Sequence, residues 1–437
     1  MPTRARNSAS TSRKARLAFT KQAPHQALLE LNTLLAAYPD HQEALLLRAR
    51  IAQEQGDYPA TIRDLTQVIQ LDPGAQAAYV LLGACYQKQS AYPEAIETFT
   101  RAIQLAPLEP TPYLERGKVL VLLNEPTRAQ KDFDRAAELN PDSAEVYLRR
   151  GKLHLQQNAL EMALADLEKA ASCNPHDSII WATLASIQRA LGNYAAALEN
   201  FTRAISLNAS SAQTYLGRSE VRELLHQTDA AYEDANYAVY LDPTCSDAYY
   251  RRGILAYCQN NLARAHSDLD QALTLDPREP RYLHDRGVVR YHLHYFDAAY
   301  LDFDYAIELL EQLPQTEVTV HHLAAAYYGR GSVALVQQNY QAAQQDLQLS
   351  LAYNPRDASA HFKLGLTYNI LGDLKGALSN FTQALALNPD DADALYARHQ
   401  ALLRRQHFGD EERARQDLHR YRQLTGSFGP PSPPLRY

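Results

Sequence analysis

Three sets of residues in this sequence have types and spacings suited to chemistry. The histidines are densest at His292-x-His294 with His284, and at His321-His322. A metal site on one helix needs imidazoles three or four residues apart, sharing a face, and these lack that spacing. They read as surface or groove histidines. The four cysteines, Cys85, Cys173, Cys245 and Cys258, form no CxxC and read as reduced structural thiols. No glycine-rich phosphate loop, GxSxG or HExxH occurs. The expectation is therefore no catalytic residue, no metal and no cofactor.

The third set is ionic and periodic. In a frame of 34 residues starting at Ser8, position 7 is basic at Lys14, Arg48, Arg116, Arg150, Arg218, Arg252, Arg286, Arg330 and Arg398. Position 23 of the same units is acidic: Glu30, Asp64, Asp132, Asp166, Asp234, Asp268, Asp302, Asp346 and, past a short insertion, Asp417. Where position 7 is instead Leu82, Leu184 or Leu364, position 23 is Thr98, Asn200 or Asn380. No unit mixes the two types. The expected chemistry is an ion pair clamping two helices, bidentate where Arg meets Asp. The competing account is the copying of two ancestral unit types, with no contact between the residues.

These couples need elements to hold them, and the same frame supplies them. Position 32 is Pro39, Pro73, Pro107, Pro141, Pro175, Pro243, Pro277, Pro355 and Pro389, failing at Ala209 and Glu311. Proline cannot continue a helix and so closes each unit. Position 8 is small in the first eleven units, as at Gly83, Gly117, Ala185 and Ser219, and position 20 is Ala there apart from Thr61, while the degenerate last unit has His399 at position 8. In a helical hairpin turning near position 14, positions summing to about 28 face each other, so 8 and 20 permit close helix approach. Positions 7 and 23 meet nearby. Aromatics at position 4, such as Tyr79, Tyr113 and Trp181, fill the gaps beside them.

With Tyr79, Gly83, Ala95, Phe99 and Pro107 in one unit and their counterparts in register, the chain resembles tetratricopeptide-repeat proteins over about residues 8–425. The resemblance implies an all-α, right-handed superhelical solenoid of about twelve hairpins, whose first helices line a concave groove that binds partners. Two groove chemistries known in that family do not carry over. The clamp for acidic chaperone tails needs Lys at position 5, which is never Lys here. The asparagine ladder of O-GlcNAc transferase needs Asn at position 6, which reads Glu115, Arg149, Thr183, Gly217, Arg251, Asp285, Gly329 and Lys363.

Positions 2, 5, 9 and 12 share one helical face. From the eighth unit onward that face holds Tyr250, Ile254, Tyr257, His284, Val288, Tyr291, Tyr328, Leu335, Phe362 and Leu366. Upstream, position 9 is Ala84, Lys118, Lys152, Ser186 and Glu220, a more charged surface. Tyrosine gives large contact area at low entropy cost. The aromatic set is the candidate partner-binding site, against a competing role in packing.

The expected organisation is a disordered 1–7, a degenerate repeat at 8–41, eight units over 42–313 and an insertion or joint at 314–323. Two units over 324–391, a degenerate arginine-rich cap at 392–426 and a disordered Pro-rich tail at 427–437 complete it. In that tail Pro431, Pro434 and Arg436 fit a PxxPxR ligand for an SH3-type domain. A net charge of −7 argues against nucleic acid, and no run approaches the ~18 apolar residues of a membrane span. A cytoplasmic location is expected, with an organellar one if residues 1–29 act as a transit peptide. The function expected is a non-catalytic protein-interaction scaffold or adaptor holding an extended peptide or helix. The alternative is a sensor whose small-molecule or second-messenger ligand closes the array at 314–323.

Overall fold

The computed structural model describes residues 24–426, which form 23 helices and no strand. The chain divides into two compact units, Met1–Ala209 and Ser210–Tyr437. In the first, α1 (Pro24–Ala37) precedes the hairpins α2–α3 (Gln42–Glu54, Tyr58–Leu71) and α4–α5 (Gln76–Lys88, Tyr92–Leu105). Next come α6–α7 (Pro110–Leu122, Pro126–Leu139), α8–α9 (Ala144–Gln156, Leu160–Cys173) and α10–α11 (Ser178–Ala190, Tyr194–Leu207). The second unit opens with α12–α13 (Ala212–Leu224, Thr228–Leu241), α14–α15 (Ser246–Cys258, Leu262–Leu275) and α16–α17 (Pro280–His292, Phe296–Glu311). It ends with α18–α19 (Glu317–Val336, Tyr340–Tyr353), α20–α21 (Ala358–Leu371, Leu374–Leu387) and α22–α23 (Ala392–Arg405, Asp410–Thr425). Within each unit every hairpin packs on the next. The division at Ala209 coincides with one of the two places where the repeat lacks its closing proline. Lys14, the segment 1–23 and the Pro-rich tail lie outside the described residues.

Each hairpin from α2–α3 to α20–α21 turns through one residue at position 15 in the left-handed region, and the last turns through two, Gln406 and Gly409. Gly56, Gly192 and Gly372 fill that place in three units, Asn124, Asn158 and Asn260 in three others. Ser90, His226, His294 and Gln338 fill it elsewhere with φ near 60°, at a steric cost that glycine avoids. Several first helices begin on side-chain caps: Ser143, Ser211, Asp357 and Asp391 accept from the backbone N–H three residues on.

Positions 8 and 20 do face each other. Ser219 donates its hydroxyl to the Ala231 carbonyl at 2.8 Å, and Thr61 reaches the Ala49 carbonyl at 3.4 Å. The ring at position 24 lies over position 8 as well. A Cβ on Gly83 or Gly117 would stand 2.6 Å from Phe99 or Phe133, both fully buried. Position 4 does more than fill space. Trp181 Nε1 donates to the Pro175 carbonyl at 2.9 Å and the Tyr113 hydroxyl to the Pro107 carbonyl at 3.2 Å, satisfying carbonyls at the unit ends.

The ionic couples are formed. Arg48–Asp64, Arg116–Asp132, Arg150–Asp166 and Arg218–Asp234 are bidentate through Nε and Nη2, at 2.6–2.9 Å. So are Arg252–Asp268, Arg286–Asp302, Arg330–Asp346 and Arg398–Asp417, at 2.6–3.0 Å. The aspartates are buried. The remaining guanidinium nitrogen, Nη1, turns the opposite way, to position 25 of the preceding hairpin. Arg48 thus reaches Asn32, Arg116 Thr100, Arg150 Asp134 and Arg252 Asn236, at 2.7–2.9 Å. Arg286 reaches Asp270 in the same way. One planar group therefore fixes three helices, which its fork of donors suits better than a lysine ammonium. In the other unit type Leu82, Leu184 and Leu364 are buried apolar replacements.

The ten residues at 314–323 do not break this register. They are taken up largely as helix, since α17 runs on to Glu311 and α18 starts early, capped by Thr316 accepting from Thr319 N–H at 3.2 Å. Arg330 still pairs with Asp346, and its Nη1 reaches Asp304 across 26 residues instead of 16. In the cap hairpin Arg405 and the His407 N–H hold the buried Asp410 carboxyl down to about 2.

Candidate functional site

The face expected from positions 2, 5, 9 and 12 lies in the second unit on α14, α16, α18 and α20. Tyr250, Ile254, Tyr257, His284, Val288, Tyr291, Tyr328, Phe362 and Leu366 are all part-exposed there. Leu335 is the correction. It is only 6% exposed, packed with Ala334 and Ala343 in the core, because α19 covers it.

Much of this face is closed on itself. Tyr250 stacks on Tyr282 at 4.6 Å and donates its hydroxyl to Asp285 at 2.7 Å. Burial first, then the Asp285 charge, raises that phenol far above its ordinary range. Ile254 and Tyr257 lean on the Leu269 cluster, and Val288 and Tyr291 on the Phe303 cluster. His284 meets Phe303 edge-on, with Nδ1 2.8 Å from Asp285. Phe362 and Leu366 rest on Phe381 and Leu378.

Position 6 places residues among this set that the four-position face leaves out. Lys363 is the main one. Its Nζ donates to Ser332 Oγ at 2.8 Å and lies 4.6 Å from the centre of the Tyr328 ring and 5.7 Å from that of Tyr291. Burial lowers the ammonium to about 8 and lifts the Tyr328 phenol to about 12. Among the described residues no carboxylate pairs with it. Arg251, also at position 6, bridges Glu220 and Glu223 of the preceding hairpin at 2.7 and 2.5 Å. The signal in the sequence is that position 6 holds charges, Arg251, Asp285 and Lys363, in three of four successive units, with Gly329 between the last two.

The first unit has a different feature on the corresponding helices. A cavity of about 590 Å³ opens along α2, α4, α6 and α8. Gln53, Gln87 and Gln156 line it together with Ala84, Val121 and Leu153, and four cations, Lys88, Lys118, Arg149 and Lys152, reach it. Lys118 bridges Glu115 at 2.7 Å and Glu145 at 2.8 Å, and Arg149 lies 3.6 Å from Glu145. Lys88 and Lys152 have no carboxylate partner among the described residues. Burial first, then Arg149, lowers the Lys152 ammonium.

The histidines are dispersed in role. His294 is a turn residue with φ 62°, and His321 is exposed. His292 is lowered by burial and by Lys363. Among the described residues no three His, Cys, Asp or Glu side chains are grouped to hold a metal, and the four cysteines are free. No described helix is long and apolar enough to cross a membrane.

Tetratricopeptide-repeat profiles match residues 12–60, 46–110, 114–178 and 328–379, and further ones match 179–211, 246–279 and 367–406. The stretches between, 212–245 and 280–327, fold into the same hairpins. No curated protein sequence matches the chain. The chain is similar to the Cut9–Hcn1 hetero-tetramer of the APC/C at 15% identity, over 89% of this chain and 95% of that one, with a TM-score of 0.47. It is similar to YrrB, a TPR protein with an unusual peptide-binding site, at 25% identity over 43% of this chain and 97% of that one, TM-score 0.38. For yeast Tom70 the values are 16% identity, 94% and 99% coverage and a TM-score of 0.40. Proteins of this repeat are generally non-catalytic scaffolds for protein interaction. The recurring spine of positions 4, 8, 20, 24 and 32 and the profiles that match most of the length together place this chain in the tetratricopeptide-repeat family.

Proposed function

We propose that this protein is a non-catalytic scaffold that holds a segment of a partner protein, as an extended peptide or a helix, on the aromatic face of its second unit. The observation that carries the reading is the run of part-exposed rings Tyr250, Tyr257, Tyr291, Tyr328 and Phe362 on consecutive first helices. Such rings are already ordered by their neighbours, so contact with a partner costs little side-chain entropy. Tyr250 and Tyr328 serve packing as well as contact, which makes Tyr257 and Tyr291 the better residues to test. A ligand-closed joint at 314–323 has no support, since residues 317–323 lengthen the first helix of the next hairpin. The test is affinity purification with the full chain against a Tyr257→Ser, Tyr291→Ser variant. The expected result is loss of captured partners with cooperative melting kept at a modestly lower temperature, since both rings also lean on the core. Retention of the same partners by the folded variant refutes the face.

A further inference from the structure

The cavity of the first unit carries an inference that does not depend on the aromatic face. Its lining combines apolar side chains, Ala84, Val121, Leu153 and Phe133, with side-chain amides at Gln53, Gln87 and Gln156. The cations are unequally served. Glu115 and Glu145 neutralise Lys118 and Arg149, while Lys88 and Lys152 face the space without a carboxylate partner among the described residues. Lys152 is half-buried beside Arg149; the Asp177 charge opposes that repulsion but forms no ion pair with Lys152 among the described residues, so an incoming anion relieves repulsion and supplies a direct partner. A lining that joins apolar side chains, amides and two unserved cations matches a polypeptide more closely than an inorganic ion. Apolar side chains meet the apolar lining, acidic ones the ammonium groups, and the amides bond to backbone N–H and C=O. A nucleic acid would need a basic stripe to displace counterions, and here Glu115 and Glu145 interrupt the cations.

We infer that the cavity lined by Lys88, Lys118, Arg149 and Lys152 is a second docking site, and that its occupant is an acidic segment of a partner protein in which carboxylate and apolar side chains alternate.

The probe is a short fluorescein-labelled peptide of alternating Glu and Leu, titrated with the full chain and followed by anisotropy. Binding is expected, weakened by added salt, and at least about tenfold weaker for the Lys88→Gln, Lys152→Gln variant. The Tyr257→Ser, Tyr291→Ser variant is expected to bind this probe as the parent does, which separates the two sites. Should the double lysine variant melt early, Lys88→Glu at its exposed position reports the same loss. Three results each overturn the inference. The first is equal binding of the Gln-Leu counterpart peptide. The second is undiminished binding by the folded lysine variants. The third is displacement of the peptide by inorganic phosphate or a single-stranded oligonucleotide at matching concentration.

Discussion

The first helices of the two units carry different chemistry at the same repeat positions. Position 9 is Lys118 and Lys152 in the first unit, where an open cavity leaves cations unserved. In the second unit it is Glu220 and then Ile254, Val288, Ser332 and Leu366, and the nearby cation Lys363 is already engaged by a hydroxyl and two rings. Beneath both faces the spine is shared, with small residues facing each other, Phe or Leu over most of the position-8 residues, and Arg–Asp forks in both units. On the proposed reading, recognition and architecture rest on largely different positions of each 34-residue unit. Either face can be altered while the hairpins stand.

The largest effect that can test this separation is a break in the spine. Asp132 is buried and its ion pairing is with Arg116 alone, so Arg116→Leu leaves an uncompensated carboxylate and should cost about 3 kcal/mol. Asp302 is paired with both Arg286 and Arg290, so Arg286→Leu should cost clearly less in urea unfolding. Adding Asp132→Thr to Arg116→Leu copies the native Leu82–Thr98 pair and should recover most of the loss. Additive losses refute the clamp.

Lys363 gives the next effect and sharpens the contrast between the faces. Its folded value of about 8 lies below that of an unfolded lysine. A lowered lysine binds fewer protons folded than unfolded between those two values, so stability rises with pH through that window. Below pH 8 the full cost of the buried charge is present. Lys363→Met should therefore stabilise the chain by about 2 kcal/mol at pH 7, with the gain vanishing above about pH 10. A pH-independent gain in thermal melting contradicts the burial argument.

The smallest effect lies in the turns. His294→Gly relieves a left-handed residue and should add about 0.5–1 kcal/mol. It should leave binding on either face untouched; a changed affinity for partners would make His294 part of the aromatic face.

The architecture was legible because close helix packing restricts residue type. Small residues fill positions 8 and 20 of the first eleven units apart from Thr61, and proline marks most unit ends, although α11 stops at Leu207 on the same turn without one. Pairing of positions 7 and 23 was legible from their joint variation between the two unit types. Other features left no such mark. A φ near 60° at His294 or Gln338 follows from the turn and is not written in either residue. The second reach of each arginine, to Thr100 or Asp134, involves a position that is polar for many reasons. The slip at 314–323 reads equally well as loop or helix, and only packing of α17 and α18 decides it. At the candidate site, burial of Leu335 depends on α19, and the lysine between Tyr291 and Tyr328 comes from a position outside the expected stripe.

The two-way reach of the arginines also has a mechanical meaning. Each fork fastens its own hairpin and the one before it, so load passes along a unit from one guanidinium to the next. Leu82 and Leu184 in the first unit, and Leu364 in the second, interrupt that line with contacts that slide. Under tension a unit should part at these leucines, releasing blocks of several hairpins at a time. Extension of the molecule would then advance in a few unequal steps, their sizes set by where arginine gives way to leucine.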